Sequence, residues 1–259
     1  MTKLLVEAHG RVSLIRVNDP ATRNALSMEM IDGLRDLLKQ EAGRARAIVL
    51  AGGAEAFCSG ANLGGPGGGI KPGETDLGIS VETHINPLTL AARDLDVPLV
   101  CAVRGAAAGF GTSLALLGDL IVAGENAFFS VAFGRIGLIP DGGAPWLLTK
   151  AVGRARAMEL MLLGEKLPAQ QALDWGLINR VVADDAVEAT ALALAARLAE
   201  GAGTALRLTR KAAWAAASST IDEELARERA YQREAGLHPD FAEGVAAFMQ
   251  KRKARFGGV

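Results

Sequence analysis

Hydrophobic and polar positions change period several times along the chain. Apolar and β-branched residues dominate two short runs, Lys3–Ala8 and Arg11–Val17, split by His9-Gly10; the spacing predicts a hairpin. Asn18-Asp19-Pro20 ends it. From Ser27 the period lengthens: Met30, Ile31, Leu34, Leu37 and Leu38 fall on one face, which predicts a helix to about Ala42 with Ser27 as its cap. Ala47–Leu50 reads as a buried strand closed by Ala51-Gly52-Gly53. Residues 60–73 then carry seven glycines and two prolines, a composition that predicts a loop. Order resumes with a helix over Ile79–Arg93 and a buried strand over Val97–Val103, with Pro98 at its start where a missing N–H is tolerated. After Gly105 the small-residue stretch AAAGFGTSLALLGD predicts a turn running into a short apolar helix. Leu120–Ala123 and Ala127–Phe133 read as strands, and Asp141-Gly142-Gly143 opens a helix at Ala144–Leu148. Strands alternating with helices predict an α/β fold with partly parallel pairing.

Beyond about residue 185 only the helical period remains. Ala186–Glu200, Ala205–Ser218, Asp222–Ala235 and Pro239–Arg252 all read as helices. The chain is therefore expected to divide into a core over 1–195 and a helical region over 196–259. The faces of that second region are too short for a large core of their own, so it is expected to pack on the same chain or on a neighbouring subunit. No internal repeat of fixed period is visible.

Composition narrows the class. Half of the 259 residues are apolar, and 28 Lys+Arg face 29 Asp+Glu, which argues against a disordered chain and against a basic nucleic-acid binder. Cys58 and Cys101 form neither a disulfide framework nor a metal-ligand cluster. MTKLLVEAHG lacks an apolar signal region and no run reaches the ~20 apolar residues of a membrane span, so a cytoplasmic protein without membrane contact is expected. Glycine is in excess at 31 residues while aromatics make up only 5%, which implies backbone approaching something closely.

The glycine-rich stretches match no phosphate-loop pattern, because Pro72 follows Lys71 where Ser or Thr is required and Leu114 stands where GxGxxG needs a small residue. Gly111-Thr112-Ser113-Leu114-Ala115 approximates a nucleophile elbow, with Asp141 and His238 following in hydrolase order. Ser113, however, lies ten residues past the strand end at Val103, whereas an elbow serine sits on the strand-to-helix turn itself. His9 and His238 read as turn and helix-start residues, and His84 as a residue near the glycine loop. Three segments share one theme. Phe57–Leu63 and Gly105–Gly111 each follow a strand and offer small residues with exposed N–H groups, the second also at a helix start; two such N–H groups converging on one oxygen make an oxyanion hole. Gly137–Gly143 is a turn presenting one carboxylate, Asp141, either toward a site or as a helix N-cap.

These segments resemble the enoyl-CoA hydratase/isomerase (crotonase) superfamily over nearly the whole chain. The matching pieces are Arg23-Asn24-Ala25-Leu26, Phe57–Leu63, Pro98–Gly111, Gly137–Gly143, Gly153–Ala157, Ala172–Ile178 and Phe248–Arg252. The resemblance implies a spiral of ββα units, a C-terminal helical trimerisation region, and a homotrimer or dimer of trimers. It implies an acyl-CoA thioester substrate whose coenzyme A is part of the substrate, with no separate cofactor and no metal. By position it makes the N–H groups of Ala61 and Phe110 the oxyanion donors, supported by Gly60, Gly109 and Gly111. It lays Arg23, Ala25 and Leu26 along the coenzyme, places Asn62 and Leu63 beside the pantetheine, and makes Lys251 a local cation for it. The glycine run 64–73 is expected over the acyl end.

The departures from the pattern direct the chemistry. Hydratases of the family use two glutamates; here Ser113 and Phe133 occupy those positions, and neither can transfer a proton at neutral pH. Asp141 is the carboxylate present. Its turn, together with Asn86-Pro87-Leu88 and Gly105–Gly109, resembles the branch that acts in bacterial phenylacetate degradation. One carboxylate suffices to move a proton between two carbons, so isomerisation of an enoyl-CoA or opening of a ring epoxide is the activity implied. Hydration, a hydrolase or dehalogenase reaction with Asp141 as nucleophile and His84 activating water, and a non-catalytic acyl-CoA binder remain as alternatives.

Overall fold

The computed structural model describes residues 3–64, 73–74 and 76–257. Most of the glycine run assigned to the acyl end, residues 65–72, lies outside them.

Mostly long strands build one sheet and short strands a second, and the chain passes from the first to the second three times. The hairpin β1 (Leu4–His9) and β2 (Val12–Val17) forms as expected, followed by α1 (Met28–Ala42), whose Ser27 side chain accepts from the Met30 N–H at 3.2 Å. Then β3 (Ala47–Ala51) leads to β4 (Ala56–Cys58) and to a helical segment of three parts: α2 (Leu77–Ser80), a π turn (Val81–Ile85) and α3 (Asn86–Arg93). Pro87 explains the π turn, since its ring cannot sit over the carbonyl four residues back. Next, β5 (Leu99–Val103) leads to β6 (Ala106–Ala108) and α4 (Phe110–Leu116). Finally β7 (Leu120–Gly124) leads to β8 (Phe128–Ser130), a 3-10 turn (Ala132–Ile136) and α5 (Ala144–Leu163). The remaining elements are β9 (Lys166–Pro168), α6 (Ala169–Asp174), β10 (Arg180–Val182), α7 (Val187–Ala199), α8 (Gly203–Ala216), α9 (Ile221–Leu237) and α10 (Pro239–Met249).

The large sheet has the order β1-β2-β3-β5-β7-β10, antiparallel only between β1 and β2. The small one runs β4-β6-β8-β9 and is parallel except at β8/β9. Each long strand feeding a short strand and then a helix is the ββα spiral. Successive turns differ in length, so no fixed sequence period accompanies it.

The inner strands of the large sheet, β2, β3, β5 and β7, are buried and mostly apolar on both faces, as a covered parallel sheet requires. Val12, Leu14, Val49, Val100 and Val122 meet α7 on one side. Ile15, Ile48, Leu50, Cys101 and Ile121 meet the larger core, with α1, α3, α4 and the small sheet, on the other. The expected division at 195/196 falls inside α7, whose Ala191, Leu194, Ala195 and Ala199 are part of that first layer.

The helices after α7 are tied on differently. Arg210 of α8 is buried; its Nε donates to Asp119 at 2.6 Å and its other nitrogens to the carbonyls of Ala92 (3.1 Å), Arg93 (3.3 Å) and Leu95. Asp119 also accepts from the Leu99 N–H at 2.7 Å. Trp214 stacks on Trp146 of α5 with centroids 5.6 Å apart.

The structure corrects three boundaries. The helix opening at Ala144 runs to Leu163, and Gly153 sits inside it with φ 78°, a local break that a periodic reading takes as an end. The strand expected over Ala127–Phe133 stops at Ser130 and gives way to the 3-10 turn. The alanine-rich stretch after Gly105 contains the strand β6 rather than a turn alone.

Candidate active site

The carboxyl ends of β4, β6 and β8 open into one cavity of about 650 Å³. Ser59-Gly60-Ala61 arrives from β4, Gly109-Phe110 from β6, and Ala132-Phe133 from β8. The turn 140–143 and the helical segment 77–86 close the sides.

The loop after β4 is braced from below. The Leu26 N–H donates to the Gly60 carbonyl and the Leu26 carbonyl accepts from the Asn62 N–H, both at 2.8 Å, so Ala61 sits opposite Leu26 in a single parallel bridge. In that pairing the neighbours of Ala61 face Leu26, and the N–H of Ala61 itself faces away, toward the cavity it lines. Gly60 makes the turn at φ 111°, and a Cβ there would lie 3.0 Å from the Ala108 carbonyl and 3.6 Å from the Phe110 nitrogen. The two loops therefore touch. Phe110 opens α4, so its N–H has no intrahelical acceptor. Among the described residues, neither the Ala61 nor the Phe110 N–H donates a hydrogen bond. Two unpaired donors thus lie on adjoining loops that line one cavity, one of them at a helix N-terminus with its partial positive charge.

Asp141 stands on the cavity wall in the turn before α5. The N-cap of α5 is Gly143, and no side chain caps it, so the capping alternative for Asp141 does not describe this structure. Its Oδ1 is buried without a hydrogen-bond partner. Burial pushes the carboxyl up from the ordinary aspartate value to about 6, its own backbone N–H pulling the other way. Lining the same cavity are Phe133, Met28, Leu77, Val81, Ile85 and Leu138, so the carboxyl faces an apolar space. Glu82 also lines it and is exposed to solvent.

Of the residues singled out from the sequence, the fold brings Gly60, Ala61, Leu63, Gly109, Phe110, Phe133 and Asp141 together around the cavity. Arg23, Ala25, Leu26, Asn62, Gly111 and Lys251 do not line it. Arg23 is exposed at φ 54°, and its carbonyl accepts from Ser59 N–H at 3.1 Å. The buried side chain of Asn24 (φ 60°) donates to the Ala56 carbonyl at 2.8 Å and accepts from Asp19 N–H at 2.8 Å. That segment acts as scaffold for the loop after β4. Leu26 is fully buried, and Asn62 accepts from Gly64 N–H at 3.3 Å. Gly111 packs α4 on β4, where a Cβ would overlap the Cys58 carbonyl at 2.1 Å. Lys251 lies exposed beyond α10.

Sequence reasoning missed the 77–86 wall, including Glu82 and Asn86. Its signal was present in residues 77/78, 81/82 and 85/86, spaced to share a helical face.

The hydrolase triad is not assembled: the Ser113 hydroxyl donates to the Asp141 carbonyl at 2.8 Å, while His238 caps α10 and pairs with Asp240. His84 does not line the cavity; its Nδ1 lies 2.8 Å from Asp32 of α1.

The enoyl-CoA hydratase/isomerase family model matches residues 7–259. The chain belongs to the enoyl-CoA hydratase/isomerase family. It is 41% identical to the 1,2-epoxyphenylacetyl-CoA isomerase of Escherichia coli, over 100% of this chain and 99% of that protein. It is also 41% identical, over 95% of each, to a protein of Rhodobacter capsulatus named "Probable enoyl-CoA hydratase". Among solved structures, an enoyl-CoA hydratase from Polaromonas sp. JS666 superposes with a TM-score of 0.92 at 32% identity, covering 98% of this chain and 99% of that one. Family members thus carry both isomerase and hydratase names. No helix among the described residues is long and apolar enough to cross a membrane.

Proposed function

We propose that this family member is an acyl-CoA isomerase in which Asp141 is the acid/base. The observation that carries the reading is the buried, partnerless Oδ1 of Asp141, a residue that lines the same apolar cavity as the two unpaired backbone donors. The thioester oxygen sits between the N–H groups of Ala61 and Phe110. Asp141 takes a proton from the α or γ carbon, the two N–H groups hold the dienolate oxygen, and Asp141 returns the proton at the other end. A positioned general base contributes about 10²–10⁴-fold and an oxyanion donor about 10²–10³-fold. A carboxyl held near 6 is a better base than an ordinary aspartate and is still ionised at neutral pH. Opening of a ring epoxide uses the same enolate. The reading needs no cofactor beyond the coenzyme A of the substrate, and it carries with it a cytoplasmic location.

Exposed apolar residues on the C-terminal helices, among them Leu237, Phe241, Phe248 and Met249, support assembly as a homotrimer or dimer of trimers. The division into a core and a helical oligomerisation region follows from the same reading.

A hydratase is the second reading. Glu82 shares the cavity with Asp141 and would supply the second carboxylate that water addition requires. Two assays on one preparation separate the readings: conjugation of 3-hexenoyl-CoA followed by its ultraviolet absorbance, and hydration of 2-hexenoyl-CoA followed by loss of it. Conjugation is expected to exceed hydration by at least about 10²-fold, the lower end of one general-acid/base contribution left unfilled. Hydration as the faster reaction would overturn the proposal.

A further inference from the structure

Ser113 occupies a position where hydration would require a proton-transferring group, yet it is fully buried and does not line the cavity. Its hydroxyl is committed to one acceptor, the backbone carbonyl of Asp141, at 2.8 Å. The same carbonyl accepts from Ala144 N–H at 3.1 Å, which starts α5. Gly142 follows at φ 60°, so close that a Cβ there would lie 2.8 Å from the Ser113 Cβ and 2.6 Å from the Phe110 ring. Ser113 and Phe110, one turn apart on α4, therefore grip Asp141-Gly142 from the same helix face.

This grip matters because the only hydrogen-bond donor described on the carboxyl is the residue's own backbone N–H, which moves with the backbone that Ser113 holds. Oδ1 accepts no hydrogen bond, so the direction of the side chain is set by where its backbone is held. We propose that Ser113 is a positioning residue: its hydroxyl, donating to the Asp141 carbonyl, fixes the carboxylate relative to the oxyanion donor at the start of the same helix. Base and Phe110 N–H are then registered to a single rigid element. The serine does no chemistry of its own. A misplacement of about 1 Å in such a constellation can cost on the order of 10²-fold. The inference rests on Asp141 being the base.

The test compares wild type, Ser113→Ala and Ser113→Cys with 3-hexenoyl-CoA, measuring kcat, KM, the pH profile and the thermal midpoint, with Asp141→Asn run alongside. Ser113→Ala is expected to lower kcat about ten- to hundredfold with KM changed less than about twofold, and to move the acid limb of the profile to lower pH as the freed carboxyl reaches water. Ser113→Cys fills the same space with a poor donor, so its kcat should stay low. Wild-type kcat in either variant, or a kcat loss matched by an equal rise in KM, would overturn the positioning role. Activity that survives Asp141→Asn would instead overturn the reading beneath it, so the two failures are told apart.

Discussion

Two of the carboxylates that this fold draws out of water, Asp119 and Asp141, are treated in opposite ways. Asp119, at the start of β7, accepts from the Arg210 guanidinium and from the Leu99 N–H, and Arg210 in turn satisfies three carbonyls near the end of α3. Asp141, on the turn before α5, keeps Oδ1 without any partner. A buried charge without compensation is unfavourable, and folds tolerate it chiefly where the group has work to do. The first aspartate holds a helix in place; the second is held in place, by Ser113 and the glycines beside it, while its Oδ1 stays unpaired. The contrast separates architecture from chemistry more sharply than residue type does.

Breaking the satisfied site should have the largest effect on stability. Arg210→Leu removes the counter-charge of Asp119 and the donors of the Ala92, Arg93 and Leu95 carbonyls. A loss of about 3–5 kcal/mol is expected in denaturant unfolding, the scale for removing one partner of a buried pair. A variant within about 1 kcal/mol of wild type would mean the site is far better hydrated than its geometry indicates.

The unsatisfied site predicts the opposite sign. The folded Asp141 carboxyl titrates near 6, above its value of 3.8 in an unfolded chain, so the folded state holds the proton more tightly. Its contribution to stability is full below the unfolded value and is lost as pH rises through about 6. Asp141→Asn is therefore expected to be more stable than wild type at pH near 8, by on the order of 2 kcal/mol, with the advantage gone near pH 4. Thermal midpoints at the two pH values check this; an equal or lower midpoint at the higher pH would show that the carboxylate is solvated.

Much of this arrangement could be read in the chain beforehand, and the missing parts have physical causes. The hairpin and α1 announce themselves through period and through Ser27. The loops carrying Ala61 and Phe110 and the Asp141 turn are marked by small residues after strands and by the family resemblance. The short strands β4 and β6 were not legible, because Ala56–Cys58 and Ala106–Ala108 have little β propensity and exist through their ladder partners. Only a small backbone lets the two loops meet at Gly60, so the residues that build the site are those that hide its strands. Glu82 was missed because a helical period says which residues share a face, not what that face looks onto. The partnerless Oδ1, the feature that distinguishes Asp141 from a helix cap, is a property of the packed turn and leaves no trace in residue type.

Solvent-proton exchange into the acyl group tests the central claim most directly. Wild type and Asp141→Asn would each be incubated with 3-hexenoyl-CoA in deuterated buffer across a pH series, with thioester binding measured in parallel. The wild-type rate should rise with pH through about 6 to a plateau, as the carboxyl becomes the base. Asp141→Asn should bind the thioester with similar affinity and exchange at least about 10²-fold more slowly at every pH. Near wild-type exchange in Asp141→Asn, with binding intact, would contradict the account.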